Sequence, residues 1–326
     1  MPTVTTSLDS KAGGERRLSA AIILGIPFAL VLVTFIFWYQ TWFGRRLTEP
    51  ELSEYLQDTS VPHKTQHALT QVAAEILRHE PAVERVYPQV VAVGGNKEAG
   101  LRSMAAWVMG QDNKSPEFHQ ALSKLVDDPE PVVRWNAALA LARFGDAAGE
   151  AQLRMMLQPY ELRAAQGGAI TFDLKESEPV RAGSVVARIK DSSSDVFEIR
   201  SPMAGVIARL VVNDGVSIAA GDAIAVISPD EQQIWEALQA LYLVGTPDAL
   251  EDVDRFARAA TGNSGRVREQ AILTGDAIRK RAASAGGRFK VESQKLKFEN
   301  ANAQSTVEAQ QPAPTQRIHQ RFALDC

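Results

Sequence analysis

Apolar and polar positions change period several times along the chain, and each change marks an element. Between Arg17 and Arg45 there is no Asp, Glu, Lys, Arg or His, and residues 18–43 are mostly apolar. A bilayer core about 30 Å thick needs roughly 20 helical residues, so this run predicts a transmembrane anchor over residues 18–44. Trp38, Tyr39 and Trp42 crowd its C-terminal end, where aromatic rings suit the headgroup layer. Pro27 is tolerable in such a helix. The run is too long for a signal-peptide core and lacks a small-residue cleavage site. From Glu49 onward, apolar residues recur at spacings of three and four, first Leu52, Tyr55 and Leu56, then Leu69, Val72, Ala73, Ile76 and Leu77. That spacing predicts amphipathic helices, which Pro62 divides into two.

Two internal echoes follow. Leu101-Arg102-x-x-Ala105-Ala106 returns 32 positions later as Val133-Arg134-x-x-Ala137-Ala138, and each copy ends in a Gly/Asp turn, Gly110/Asp112 and Gly145/Asp146. A helix, an Asp-Pro turn and a second helix with paired alanines make a unit that cannot bury its own apolar face, so such units stack. Residues 234–244 and 249–259 predict a further hairpin, and Val267-Arg268-Glu269-Gln270-Ala271 starts another unit. Between the helical blocks, residues 164–229 switch to short alternating runs punctuated by Gly, Pro, Asn and Asp, the pattern of a small all-β sandwich or barrel. Here the echo returns at an offset of 38 residues. Gly167 falls on Gly205 and Phe172 on Leu210, and Val180-x-Ala182-Gly183-x-x-Val186-Ala187-x-Ile189 falls on Ile218-x-Ala220-Gly221-x-x-Ile224-Ala225-x-Ile227. A β-unit used twice implies internal two-fold symmetry.

The helical stretches, best in residues 122–145, resemble the HEAT-repeat family. The resemblance implies that Arg102 and Arg134 pack along the stack and bond a neighbouring turn, and that the surface serves protein partners without catalysis. The segment Ser201-Pro202-Met203-Ala204-Gly205, followed by Asp214-Gly215-x-x-Ile218-x-x-Gly221-Asp222, resembles the biotinyl/lipoyl family, a barrel-sandwich hybrid. Carriers in that family present a lysine at the hairpin between halves. Here that hairpin is Ser192-Ser193-Ser194-Asp195, and the nearest lysine, Lys190, falls at a strand end. The resemblance therefore implies a hybrid domain without its cofactor. A carrier modified at an atypical lysine such as Lys190 is one alternative. A divergent relative of the membrane-fusion components of export systems is another, although those split the halves with a long helical hairpin.

Composition adds few constraints. The chain has 326 residues and a formal net charge of −4, from 35 basic and 39 acidic residues, so no basic face points to nucleic acid. The single cysteine, Cys326, allows no internal disulfide. No phosphate-binding glycine loop, nucleophile elbow or zinc motif occurs. His63 and His67, at i and i+4 after Pro62, share one helix face, but no acidic third ligand stands at an obvious spacing. The polar tail over residues 284–326 predicts disorder, with residues 317–324 (RIHQRFAL) as its one apolar island. The expected organisation is an N-terminal tail (1–17), the anchor (18–44), HEAT-like repeats (47–160), the hybrid domain (162–230), more repeats (231–283) and the tail. Charges flanking the anchor, Lys11, Arg16 and Arg17 before it and Arg45 and Arg46 after it, place the body outside the cytoplasm of a bacterial inner membrane. The function expected is a membrane-tethered scaffold that binds proteins, with no catalytic residue, cofactor or metal.

Overall fold

The computed structural model describes residues 28, 30–34, 46–191, 195–258 and 264–284. The chain divides into two compact units, residues 1–55 and 56–326. In the first, residues 28 and 30–34 are helical. Helix α1 (Glu49–Gln57) starts where the Thr48 amide and hydroxyl both donate to the Glu51 carboxylate.

The expected transmembrane helix requires correction. Among the described residues, no helix is long and apolar enough to cross a membrane. The longest described helix, Gly265–Ala283, carries charged side chains along its whole length. The fold is therefore helical repeats plus antiparallel sheets. The localisation that rested on the anchor, a bacterial inner membrane with the body outside the cytoplasm, falls with it. The rest of the run, residues 1–17, the hairpin residues 192–194 and the tail beyond Ser284, with Cys326, lie outside the described residues.

In the second unit the helices form a two-layer stack. Helix α2 (Pro62–Leu77) is followed by a 3₁₀ turn (Pro81–Val86) running into α3 (Tyr87–Val93), then α4 (Ala99–Met109), α5 (Pro116–Leu125) and α6 (Pro131–Phe144). A second 3₁₀ turn (Ala147–Gly149) leads into α7 (Glu150–Met156). After the strands come α8 (Glu231–Val244), a 3₁₀ turn (Pro247–Ala249) into α9 (Leu250–Arg258), and α10 (Gly265–Ala283). The start signals are local. Pro opens α2, α5 and α6, and Ser115, Asp230 and Ser264 accept the first free amides of α5, α8 and α10. Gly145, left-handed at φ 77°, closes α6.

Helices α2, α4, α6, α8 and α10 pack in sequence as one layer. Helices α5 and α6 form a hairpin joined by the Asp-Pro turn; α7 and α8 form the same hairpin, although the whole β-region lies between them. The sandwich is thus an insertion into the turn of a single repeat, and the helical stack continues behind it. Small residues permit the close spacing. A methyl added at Gly149 would clash with Ala138, and one at Gly110 with Ala140.

The strands are β1 (Tyr160–Arg163), β2 (Gly168–Phe172), β3 (Pro179–Val180), β4 (Val185–Lys190), β5 (Val196–Arg200), β6 (Gly205–Leu210), β7 (Ser217–Ile218) and β8 (Ala223–Pro229). They form two four-stranded sheets, ordered β1-β8-β6-β3 and β5-β4-β2-β7, antiparallel throughout. Exchanging each strand for its echo converts one order into the other. Each sheet takes its inner pair from one half and its outer strands from the other, so neither half can close a core alone.

The hydrogen bonds repeat as well. Asp173 N–H donates to Val186 O at 2.9 Å, and Val211 N–H to Ile224 O at 2.8 Å. Ser177 N–H donates to Ile207 O, and Gly215 N–H to Ile170 O. Leu210 N–H reaches the Glu176 carboxylate, and Phe172 N–H the Asp214 carboxylate. One correction to the echo emerges. A β-bulge between Ile207 and Arg209 puts Ala208 out of register. Before it the offset is 37, so Gly205 matches Gly168 rather than Gly167, and the fully buried Ile207 matches the fully buried Ile170. The core between the sheets is Leu162, Ile170, Val180, Val186, Ile189, Met203, Ile207, Ile224 and Ile227, all buried.

Candidate interaction surface

The arginines of the helical echo hold the turns of the stack. Arg102, on α4, donates through Nη1 to the carbonyls of Asn96 and Lys97 in the turn before its own helix. Its Nε and Nη2 bind both oxygens of Asp128, one repeat on, at 2.7 and 2.8 Å. Arg134, on α6, makes the same pair of carbonyl bonds, to Asp128 and Pro129. The next turn, however, is where the sandwich enters. Thirty-two positions after Asp128 stands Tyr160, the first residue of β1, so Arg134 has no acidic turn to reach and binds Gln152 Oε1 at 3.2 Å instead. Burial pushes the Asp128 carboxyl up, but the bonds from Arg102 and the Glu130 amide, with the charges of Arg102 and Arg134, outweigh it and hold its pKa below the ordinary value. Asp112 and Asp146, closing the two Gly/Asp turns, also act alike. Each accepts the amide two residues on, and each takes a side chain from the preceding helix of its unit, Tyr87 Oη and His119 Nε2 respectively.

On the open face of the α2-α4-α6 layer lies a groove of about 520 Å³, lined by His63, Gln66, His67, Thr70, Gly100, Ser103, Met104, Trp107 and Asn136. The two histidines singled out in the sequence thus line one groove, in the first two turns of α2. Among the described residues, no group of three His, Cys, Asp or Glu side chains is placed to hold a metal. Asn136 Nδ2 donates to Ser103 Oγ at 2.8 Å and ties α6 to α4 across the floor. Trp107 Nε1 is buried with no acceptor among the described residues, an arrangement that costs about 1–3 kcal/mol. Further along the same layer, Arg266 stacks 3.7 Å above the Trp235 ring, and burial raises the Glu236 pKa against the opposing bond from Gln232.

The joint between stack and sandwich is polar. Asp252 on α9 accepts from Arg154 and Gln158, and Arg255 donates to the Leu157 carbonyl and Gln158 Oε1. Tyr160 lays its ring edge-on to Trp135 of α6, centroids 5.8 Å apart. In the sandwich, Arg163 bonds the Gly221 carbonyl and pairs with Glu161, while Arg200 bonds the Gly183 carbonyl and pairs with Glu198. Sequence reasoning missed these paired clamps. Their signal is Glu161-Leu162-Arg163-Ala164 against Glu198-Ile199-Arg200-Ser201, visible at an offset of 37 but not at 38. Lys190 ends β4, exposed and paired across the ladder with Val196. It is a strand residue, and Asp191 and Asp195 close the hairpin beyond it.

The model of a family of HEAT repeats matches residues 94–167, from the turn before α4 through α7 and into the first residues of the sandwich. No curated protein matches the chain. Among solved structures it is similar to a single-chain, multi-domain long-chain acyl-CoA carboxylase, at 20% identity and a TM-score of 0.21, over 39% of this chain. The chain spans 10% of that protein's length, and a likeness so slight bears on neither fold nor function.

Proposed function

We propose that this chain is a non-enzymatic scaffold that binds other proteins across the helical layer α2-α4-α6-α8-α10. The carrying observation is the continuity of that layer. Packing of α8 on both α6 and α7 keeps one uninterrupted surface although the chain leaves for the sandwich between α7 and α8. Such stacks offer extended faces to partners, and the match to HEAT repeats supports the reading. In this reading the sandwich is a biotinyl/lipoyl-like hybrid domain serving as a rigid or self-associating insert. It carries no cofactor, because Lys190 sits in a paired strand rather than at a turn tip.

The test is photocrosslinking of the whole chain, with a crosslinkable residue in place of Met104 in the groove and, separately, of Met155, exposed on α7 outside that layer. The expected result is a stoichiometric protein adduct from position 104 that Thr70→Arg removes. Adducts that form equally from both positions, or that survive Thr70→Arg, defeat the proposal.

A further inference from the structure

Helix α10 closes the described stack. It packs on α8, on α9 and on the turn before α9, and it does so with one side, burying Val267, Gln270, Ala271, Thr274 and Ile278. The last unit of such a stack needs a polar outer face. This one carries an apolar pair there. Ile272 and Leu273, adjacent at the middle of the helix, are 45% and 51% exposed. From α2 onward the described helices bare one other large apolar side chain to that extent, Met155. The charges around the pair are ordered. Arg268 stands four residues before Ile272 and Asp276 four after it, so cation, apolar group and anion lie along one i±4 ridge. All three are exposed. Among the described residues the Arg268 guanidinium has no partner. Asp276 is 72% exposed and meets Arg279 only at 3.5 Å, while Arg279 gives its Nη2 to both oxygens of Asp254.

A ridge that reads positive, apolar, negative complements itself when reversed. We propose that this face receives the same face of a second copy of this chain, the two α10 helices packing antiparallel about a two-fold axis at Ile272. Packing of i±4 ridges into i±4 grooves crosses two helices at about 50° and lays such ridges side by side. Arg268 of each copy then meets Asp276 of the other, twice over, and Leu273 fills the groove beside the two Ile272 side chains. A parallel arrangement would set Arg268 on Arg268 and Asp276 on Asp276. The contact is isologous, so it closes at two copies and does not grow into a filament. Exposed ion pairs contribute little affinity; here they set the direction of pairing, and the apolar pair supplies the attraction. A stable dimer buries about 800 Å² per partner. A helix of 19 residues is about 28 Å long, so one face of it offers well under that area, and the dimer is expected to be weak and concentration-dependent. The inference stands apart from the scaffold reading.

Sedimentation velocity of the full chain across micromolar concentrations tests this. The expected result is a monomer–dimer equilibrium that Ile272→Lys shifts to monomer throughout. Arg268→Asp and Asp276→Arg should each weaken self-association severalfold, because each sets like charges against each other. Mixing these two variants should restore association, since a copy with Arg268→Asp complements a copy with Asp276→Arg at both contacts. Thermal melts matched to wild type show that each variant is folded. A chain that is monomeric at every concentration, association that survives Ile272→Lys, or single variants that do not pair when mixed overturns the proposal. So does a chain that dimerises only after residues 285–326 are removed, because its own tail is then the occupant of the face.

Discussion

Tyr160 in β1 and Phe197 in β5 occupy equivalent places in the two halves of the sandwich, 37 positions apart. Tyr160 meets Trp135 of the helical stack edge-on; Phe197, with Val196 beside it, stays in solvent at 38% exposure. Around them the halves are nearly copies. The same Glu-x-x strand contributes the same arginine to the same carbonyl, and the turn glycines Gly183 and Gly221 share a left-handed φ of 81° and 89°. Duplication has therefore fixed the backbone, while Tyr160 of one half joins the stack and Phe197 of the other faces solvent. What a repeat preserves is the network that closes the core, and what it releases is the outer surface.

The strongest way to break the comparison is at its two crossing points. A side chain at Gly168 would be driven into the Lys190 carbonyl, and one at Gly205 into that of Ser228. Gly168→Val and Gly205→Val should each cost about 4 kcal/mol or more, since backbone must move to admit a branched side chain. Because each sheet contains strands of both halves, either change should open the whole sandwich. Hydrogen exchange across residues 160–229 measures it, and loss of protection confined to one half would refute the interleaved reading. Next in size are the paired core residues. Ile170→Ala and Ile207→Ala each remove a fully buried side chain, at about 2–5 kcal/mol. Equivalence requires the two losses in chemical denaturation to agree within about 1 kcal/mol.

The divergent pair gives a smaller and unequal effect. Tyr160→Ala removes an aromatic contact with Trp135 and the burial around it, about 1–2 kcal/mol, and should loosen the stack joint, visible as a change in Trp135 fluorescence. Phe197→Ala, at the equivalent exposed place, should stay within about 0.5 kcal/mol. Equal losses would mean that the free half is anchored too.

Much of this architecture was legible in the chain because repetition makes local chemistry visible twice. Arg102 and Arg134 stood out through their shared spacing from Ala105 and Ala137, and the sandwich through its alternation and doubled Ala-Gly turns. The register of the β-echo was not legible. One bulged residue, Ala208, shifts the offset from 37 to 38, and a bulge leaves no period for a sequence pattern to follow. The insertion of the sandwich into one repeat was equally hidden, because the packing of α7 on α8 joins segments that the sequence separates by a whole domain. Asp128 as the partner of Arg102, and Trp107 and Asn136 in the groove, depend on side chains meeting between repeats. The 18–44 run misled for the opposite reason. Apolar length is a property of the sequence alone, and among the described residues no helix is long and apolar enough to cross a membrane.

The finest difference between the halves is a single turn residue, and it offers the most delicate test. Ser177 and Gly215 are equivalent, both with positive φ, at 68° and 80°, and both donate an amide to the opposite half, to Ile207 and Ile170. Gly adopts that conformation without the steric cost that a Cβ brings. Ser177→Gly removes the cost but gives the unfolded chain more freedom to lose, so the net gain should be about 0.5 kcal/mol. Gly215→Ser imposes the same cost, offset in part by that same entropy, so the loss should match that gain at about 0.5 kcal/mol. The double exchange should then lie close to wild type, within about 0.5 kcal/mol, if the two turns are interchangeable. Denaturant midpoints for the four proteins decide it. A double variant much less stable than the sum of its parts would show that the turns have different surroundings, and that the symmetry stops at the backbone bonds.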